Sequence, residues 1–543
     1  MSYTSKSLDY LGLLSAHWDG LRLTALIDKL LPRFSSHTHL SFGQSIKAMV
    51  LNGLGYMNHR LYLVEDFFTA KPTDILLGPG VEPSHLNDDL LGRSLDAIFT
   101  YGCSELFSQL SSHVVKTQGI RIDSGHLDST QFHVHGSYNS SEAPNDSKVI
   151  HITHGYSKDH RPDLNQVGLH LICSQQGSIP LMMRCVNGNS SDSVDFRKSV
   201  SLHVSQLQND YNLPYIVADS KLYSRKSLED FKDQGLYWIS RIPLNMTRSK
   251  ELVASSELKD FSPLSAEGYQ GKWVEVELHG ISQRWLVLHS QQAQQSKESS
   301  FVRKVGKALE KRKQLFKTLQ STVYHCHKDA QKALDRFIQQ GKYTQVAKAA
   351  IVSKQDKGSK QNQKQQSPTY VIQGEVIQDS NKVEKAKQRL GFFILGTNQL
   401  DQQEIDADTL LSYYKGNDST ERGFRFLKDP RVVASSFFVQ KPQRVMALLM
   451  VMTLCLLIYA SLEWHIRNKL KEQKQTFPNQ VKKEVQNPTL RWICQCFMGI
   501  HILYMQGKPT AILNLSDRQR RLLDILKGKF KEIYTIKTSE NKK

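Results

Sequence analysis

The sequence lacks the features of a secreted, disulfide-stapled protein. Its seven cysteines, from Cys103 to Cys496, are scattered and odd in number. They form no disulfide framework, which predicts a reducing, cytoplasmic compartment. The N-terminal segment has no basic stretch followed by an apolar core, so it predicts no secretory signal.

Acidic residues are in deficit across the chain. Asp and Glu total 52 against 71 Lys and Arg, a formal net charge of +19. An excess of this size favours a polyanionic partner, most commonly nucleic acid. Hydrophobic residues make up 39% of the 543, enough for several packed domains, and this excludes wholesale disorder.

Long apolar runs are also scarce, with one exception. The segment from Val445 to Leu462 is uncharged and just reaches the length of a minimal membrane span. A membrane anchor and a helix buried on all sides both fit this composition. Because the run has no second span beside it, we predict a buried core helix and no membrane partner.

Changes in hydrophobic periodicity predict an α/β protein with five regions. The core is predicted to be a mixed sheet interrupted by a β-containing insertion, which carries a hairpin, one long basic helix from about Phe301 to Gln340 and a low-complexity loop. The regions are an N-terminal helical domain (1–118), the first part of the core (119–244), the insertion (245–390), the second part of the core (391–467) and a basic, helical C-terminal region (468–543).

Three acidic residues stand where a metal site would need them. Asp128 lies in a predicted strand within LDST, Asp219 ends a second strand within IVADS, and Glu421 lies on a predicted helix. Such residues can converge on one side of a mixed sheet, and hard carboxylate oxygens suit Mg²⁺ or Mn²⁺. Three further acids compete as ligands by type: Asp123, Asp195 and Asp418.

The segment around Glu421 also carries a spaced signature. Tyr414, Glu421 and Lys428 match the pattern Tyr, two residues, Arg, three residues, Glu, six residues, Lys, with Asn417 in the Arg slot. This pattern, LDST, VADS and the run beginning ERGFRFLKD together resemble DDE transposases of the bacterial insertion-sequence-four superfamily. The most similar subgroup is the insertion-sequence sixteen-thirty-four group.

The resemblance implies a fold and a site. It implies an RNase H-like core in which Asp128, Asp219 and Glu421 are the catalytic residues and hold two Mg²⁺ or Mn²⁺ ions. Tyr414 and Lys428 would contact DNA backbone or end phosphates. Five residues are expected at the DNA: Tyr414, Asn417, Arg422, Arg425 and Lys428, of which Asn417 can donate a hydrogen bond to a phosphate and either arginine could replace the missing charge.

The resemblance also implies an activity and its partners. The expected function is an insertion-sequence transposase that cleaves DNA at the element ends and joins them to target DNA, by a cut-and-paste route with hairpin ends. Its partners would be the double-stranded terminal inverted repeats, target DNA and a second copy of the chain. Its expected location is the nucleoid in a bacterial cytoplasm.

Three other hypotheses stay open at this point. A catalytically inactive DNA-binding protein derived from a transposase would share the charge and the fold. A metallohydrolase could use His133 and His135, which lie on one face of a predicted strand, although a complete ligand set is missing from the sequence. A membrane protein anchored by residues 445–462 would explain the apolar run.

Overall fold

The computed structural model describes residues 3–32, 39–55, 63–134, 138, 148–155, 161–190, 206–354, 368–416, 418–428, 439 and 441–536. The chain is mixed α/β and forms two compact units. One unit comprises Met1–Ser240 and Leu411–Lys543, and the other comprises Arg241–Leu410. The domain boundaries proposed from the sequence stay predictions.

The first unit begins with one strand and a series of helices, as the N-terminal periodicity predicts apart from the strand. The elements are β1 (Tyr3–Ser7), α1 (Leu11–Gly20), α2 (Leu23–Leu30), α3 (Phe42–Gly53), α4 (Val64–Thr69), α5 (Thr73–Leu76), α6 (Asp88–Tyr101) and α7 (Cys103–Gln118). Side chains cap the helix starts: Ser41 and Gln44 form a capping box on α3, and Asn87 accepts from the Leu90 N–H on α6.

A mixed sheet follows, with five strands in this unit. It contains β2 (Ser124–Val134), β3 (Asn165–Ser174), β4 (Pro180–Val186), β5 (Tyr215–Ala218) and β6 (Tyr237–Arg241), with α8 (Arg225–Asp233) between the last two. The strand order is β4-β3-β2-β5-β6. β2, β3 and β4 pair antiparallel, whereas β5 and β6 run parallel to β2. β3 is almost wholly buried, as expected for a sheet covered on both faces.

In the part of the chain that the structure describes, the second unit contains six strands and four α-helices. Its elements are α9 (Thr247–Ser255), β7 (Ser262–Pro263), β8 (Tyr269–Leu278), β9 (Ile281–Ser290), α10 (Gln291–Ser321), α11 (His327–Gln339), β10 (Thr344–Lys354), β11 (Thr369–Gln378), α12 (Ser380–Gln388) and β12 (Phe392–Thr397). The strands β12, β9, β8 and β7 are hydrogen-bonded neighbours in that order, and β10 and β11 form a two-stranded sheet. The β8–β9 hairpin confirms the hairpin predicted in this region.

The prediction of a single basic helix from Phe301 to Gln340 is wrong, because the chain leaves the helix at Thr322. The next residues, Val323 and Tyr324, favour extended backbone. Tyr324 exchanges both backbone hydrogen bonds with Tyr370 of β11, at 2.8 and 2.7 Å. The basic residues are therefore divided between two helices.

The chain then returns to the first unit. The elements are α13 (Ala407–Lys415), α14 (Asp418–Leu427), α15 (Pro442–Glu472), β13 (Phe477–Pro478), β14 (Glu484–Val485), α16 (Leu490–Cys496), β15 (His501–Met505), β16 (Lys508–Leu513), α17 (Asp517–Leu526) and α18 (Gly528–Ile533). The prediction of a helical C-terminal region is wrong, because strands alternate with these helices. Gln506 and Gly507 both have positive φ and form the two-residue turn of the β15–β16 hairpin, and β1 pairs antiparallel with β15.

Helix α15 contains the apolar run of the sequence, and its burial distinguishes a core helix from a membrane anchor. It is long and apolar enough to cross a membrane, but 83% of its most apolar window is buried inside the protein. The Arg444 guanidinium pairs with both carboxylate oxygens of Asp96 on α6, each at 2.7 Å. Ser461 lies 2.9 Å from the buried His17 ring on α1. The prediction of a buried helix is confirmed.

Candidate functional site

Two of the predicted acidic residues lie side by side on neighbouring strands. β2 and β5 pair in parallel, with Leu127 opposite Ala218. Continuing this register by one residue sets Asp128 beside Asp219, on backbones about 5 Å apart and with both side chains on the same side of the sheet. Both carboxylates are half-buried, so solvent reaches them at the end of the short strand β5.

Local hydrogen bonds orient these two residues. Oδ1 of Asp128 accepts from the Ser129 N–H at 2.7 Å. Oδ1 of Asp219 accepts from the Lys221 N–H at 2.9 Å, and the Asp219 carbonyl accepts from the Ser240 hydroxyl at 3.0 Å. Asp219 therefore does form a turn, as a strand-end aspartate commonly does, and the turn holds its carboxylate at the strand end.

The third acidic residue lies on α14, which packs on the strand that carries Asp128. The Thr420 hydroxyl donates to the His126 carbonyl at 3.1 Å. Gly423 lies against Leu456 of α15, where a Cβ would be 3.1 Å from its nearest side-chain atom. Phe424 and Leu427 are buried on the same face, whereas Glu421 is exposed. The Thr420 hydrogen bond therefore fixes the residue before Glu421 to His126, which is two positions from Asp128 on β2.

A buried histidine joins this helix to the sheet. His126 is fully buried, and its Nε2 lies 3.1 Å from the Ser124 hydroxyl. Ser124 donates to Gln175, and the Gln175 amide donates to the Ser412 carbonyl of α13 at 3.2 Å. Burial lowers the pKa of His126 to about 4, so the ring is neutral at pH 7. The contact requires glycine at 416, where a Cβ would lie 3.0 Å from the ring.

The basic residues predicted to contact DNA lie on the exposed side of α14. Arg422, Arg425 and Lys428 are exposed. Glu421, Arg425 and Lys428 stand at helical positions i, i+4 and i+7, so they share one face. Tyr414 is half-buried on α13. Asn417 lies outside the described residues, so the structure says nothing of the replaced arginine position.

Asp128 and Asp219 are neighbours in the sheet, whereas Glu421 lies on the helix that packs on β2. In the part of the chain that the structure describes, no group of three or more His, Cys, Asp or Glu could hold a metal ion. By chemistry the set does fit Mg²⁺ or Mn²⁺, because Asp128, Asp219 and Glu421 offer only hard oxygen donors. The three sit on two adjoining strands and the helix packed on one of them.

The competing residues are placed less favourably. The Asp123 carboxylate already accepts from the Arg121 side chain and from the Gln176 amide. Asp418 is the first residue of α14, as expected for a helix-start residue. The competing ligand Asp195 and His135 of the metallohydrolase hypothesis lie outside the described residues.

The network around His126 is what the sequence did not reveal. His126 and Asp128 are two positions apart on β2 and so share a face, which the alternation of GHLDST indicates. The partners Gln175, Ser412, Gly416 and Thr420 come from distant segments with no local signal. Only the pairing of β2 with β3 and the packing of α14 brings them together.

The fold and site define a mixed α/β protein with two carboxylates side by side on neighbouring strands, and sequence comparison gives the family. The family model described as transposase DDE domain matches residues 125–458, more than half of the chain. The chain therefore belongs to the DDE transposases. A second model, described as a domain of unknown function (DUF4277), matches residues 3–112.

No curated protein matches the chain. Among solved structures, a cryo-electron microscopy structure of a piggyBac transposase synaptic complex with hairpin DNA is similar at 9% identity and a TM-score of 0.38. The match covers 100% of this chain and 90% of that one. The family assignment follows from the matched residues 125–458.

We predict that Gly416→Ala displaces the junction of α13 and α14. The added Cβ would lie 2.8 Å from a Gln175 side-chain atom and 3.0 Å from the His126 ring. A misplacement near 1 Å costs an active site about 10²-fold in rate, so we expect DNA cleavage to fall by about ten- to a hundredfold with DNA affinity retained.

Two variants make this test specific. Gly20→Ala at the exposed end of α1, where a Cβ meets no atom within 4 Å, should leave cleavage unchanged. The double variant Gly416→Ala with His126→Ala should cleave faster than Gly416→Ala alone, because the ring atoms that crowd the methyl group are gone. Full cleavage by Gly416→Ala would contradict the proposed role of this contact.

Proposed function

We propose that this protein is the transposase of a bacterial insertion sequence, in the insertion-sequence-four superfamily and closest to the sixteen-thirty-four group. The observation that carries the proposal is the pair Asp128 and Asp219 on adjoining parallel strands, with the Glu421 helix anchored on the first of them. All three residues lie within the segment matched by the DDE transposase family.

An RNase H-like core is part of this proposal. The order β4-β3-β2-β5-β6, with three antiparallel strands followed by two parallel to β2, supports it. In such a sheet the first strand is central and carries an acidic residue, here Asp128. The fourth strand lies beside it and ends in the second acidic residue, here Asp219.

Asp128, Asp219 and Glu421 would hold two divalent cations, Mg²⁺ or Mn²⁺. When bound, these ions supply charge neutralisation and an activated oxygen nucleophile for phosphodiester chemistry. The chain itself would orient the scissile phosphate, through Arg425 and Lys428 on the face that Glu421 shares. Arg422, Tyr414 and Asn417 would contact neighbouring backbone phosphates, and these contacts fix position rather than sequence.

The proposed reaction has two cleavage stages. Water attacks a phosphodiester at the element end, the bond to the 3′-oxygen breaks, and a 3′-hydroxyl and a 5′-phosphate result. The 3′-hydroxyl then attacks a phosphodiester of the opposite strand, the bond to the 3′-oxygen of the flanking DNA breaks, and a hairpin forms on the element end. A second water breaks the hairpin phosphodiester and restores the 3′-hydroxyl, which attacks a target phosphodiester and displaces a 3′-hydroxyl of the target. Positioning and electrostatics supply most of the rate in phosphoryl transfer.

The remaining partners are proposed from the charge and the family. The net charge of +19 suits double-stranded DNA, both the terminal inverted repeats and the target. The basic helices α10 and α11 would hold the ends through phosphates. A homodimer on paired ends would carry out the reaction, in association with the bacterial nucleoid.

A catalytically inactive DNA-binding protein is the second candidate. Two observations favour it: Asn417 occupies the signature arginine position, and no converged metal-ligand group lies among the described residues. This candidate keeps DNA affinity and predicts no strand cleavage.

The deciding experiment is a cleavage assay on DNA that carries the inverted repeats flanking the gene. The protein is incubated with Mg²⁺, with Mn²⁺ and with a chelator, and the products are separated on a denaturing gel. Cleavage at the repeat boundary with either cation, and hairpin products that a chelator abolishes, would establish the proposal. Binding of the repeats without cleavage under any condition would favour the inactive protein.

A further inference from the structure

Three lysines in the C-terminal part of the first unit occupy backbone positions that suit glycine. Lys474, Lys482 and Lys527 have φ of 52°, 61° and 59°. A side chain in this left-handed region crowds the backbone, and glycine adopts it without that cost. Lysine has no local hydrogen bond that compensates, unlike asparagine or aspartate.

Each of the three positions is one where a helix or a hairpin turns sharply. Lys474 follows α15 as its left-handed residue: the Gln475 N–H donates to the Leu470 carbonyl and the Lys474 N–H to the Lys471 carbonyl. This is the Schellman arrangement, in which glycine is usual. Lys527 ends α17 with ψ of −166°, in a region populated almost only by glycine.

Lys482 stands at the tip of the β13–β14 hairpin. It ends the three-residue loop between Asn479 and Lys483, again a position typical of glycine. The Asn479 side chain fixes this loop by accepting from the Val481 and Lys483 N–H groups, at 3.0 and 2.9 Å. The loop exposes Val481, at 80%, together with the two lysines.

The segments that carry these lysines are tied together. The Gln473 amide donates to the Ile525 carbonyl at 2.9 Å, which joins the end of α15 to the end of α17. The Arg521 guanidinium donates to the Thr476 carbonyl at 3.3 Å. The Trp492 indole donates to the Pro478 carbonyl at 2.7 Å and so anchors the hairpin. The lysines therefore belong to one ordered surface.

These lysines also differ from their neighbours in their charge partners. Lys469, Lys529 and Lys531 pair with Glu472, Glu532 and Asp524 at 2.7–2.8 Å. Lys474, Lys482, Lys483 and Lys527 are exposed and have no carboxylate within ion-pair distance among the residues that the structure describes. The three lysines in glycine-type positions are thus among those that the described ion pairs leave available to an external anion.

We propose that Lys474, Lys482, Lys483 and Lys527 form a contact surface for the phosphate backbone of duplex DNA. The inference rests on the proposed function, which supplies the polyanion. A side chain at such a backbone position costs free energy, and residues that bear this cost cluster at functional sites. Four unpaired ammonium groups on a rigid, tied surface suit phosphates as point charges, without reading the base sequence.

The test distinguishes a contact made by these particular lysines from the effect of the protein's net charge. The triple variant Lys474→Gly, Lys482→Gly, Lys527→Gly removes three charges and relieves three left-handed side chains. The control triple variant Lys469→Gln, Lys529→Gln, Lys531→Gln removes the same charge from ion-paired, helical lysines. Each protein is titrated with a labelled duplex of the flanking inverted repeat and with a scrambled duplex of equal length, over a range of salt concentrations.

The glycine variant is expected to keep or raise its melting temperature while it loses affinity for both duplexes by about tenfold or more. The slope of log affinity against log salt should fall in magnitude by about 2.7, which is three contacts at 0.9 each. The control should retain most of the parent's affinity and slope.

Three other results would overturn the inference. Equal losses in both triple variants would assign the effect to net charge, and parental affinity in the glycine variant would remove this surface from DNA binding; either leaves the proposed function standing if the parent binds DNA. A parent protein that binds neither duplex would overturn the proposed function and this surface together.

Discussion

Replacing Glu421 by Gln is expected to abolish most DNA cleavage, with a loss of about 10²–10³-fold or more, the scale for removing one preorganised electrostatic group. The amide keeps the shape of the side chain and loses its charge and its capacity to hold a divalent cation. Because Glu421 is exposed on α14, the fold should be unaffected. Cleavage of the inverted-repeat substrate with Mg²⁺ measures the effect.

Matched controls give this prediction its force. Asp128→Asn and Asp219→Asn should cause losses of similar size. Asp123→Asn should not, because the Asp123 carboxylate accepts hydrogen bonds from Arg121 and Gln176. Glu404→Gln should not either, because Glu404 is an exposed residue of the other unit. DNA affinity should survive in all five variants. If Glu421→Gln cleaves as fast as the parent, Glu421 is not part of the mechanism and Asp418 becomes the next residue to replace.

The second large effect is expected at the centre of α15. Leu457 is fully buried, so Leu457→Asp would bury a carboxylate without a partner. Mutations that bury an unpaired charge belong to the class that costs more than about 4 kcal/mol, and we expect no folded protein to be recovered. Expression, gel filtration and circular dichroism check this outcome.

Two milder variants bracket the result. Leu457→Met conserves volume and should cost less than about 1.5 kcal/mol, while Lys471→Ala on the exposed end of the same helix should change stability by less than about 0.5 kcal/mol. A folded, active Leu457→Asp protein would contradict the position of this helix. Recovery of the parent only from detergent-extracted membranes would do so as well, and would favour the membrane-anchor hypothesis.

The sequence predicts most reliably where chemistry and local pattern coincide. The strand bearing Asp128, the β8–β9 hairpin and the burial of the apolar run all follow from residues close together in the chain. The prediction of one long basic helix is wrong because basic residues resume at Lys328, after the segment Thr322–Cys326 in which the backbone of Tyr324 pairs with Tyr370. The pairing partner lies 46 residues away in the chain, and the preference of Val323 and Tyr324 for extended backbone is the one local signal of it.

The candidate site likewise contains residues that the sequence predicts and residues that it does not. Asp128, Asp219 and Glu421 could be proposed from residue type and resemblance, and the register of β2 and β5 is consistent with the first two being neighbours. The supporting residues could not be proposed, because the Thr420–His126 contact joins positions 294 apart. Such contacts depend on tertiary packing, which overrides local preference.

The pairing of β1 with β15 has a consequence for the synthesis of the protein. The Ser5 hydroxyl and the His501 ring, which lie 3.1 Å apart across this pair, are separated by 496 residues. At the usual 5–20 residues per second, roughly 25–100 s pass between the translation of one and of the other. The strand β1 is without its partner for that time, because β15, with which it pairs, is among the last elements to be synthesised.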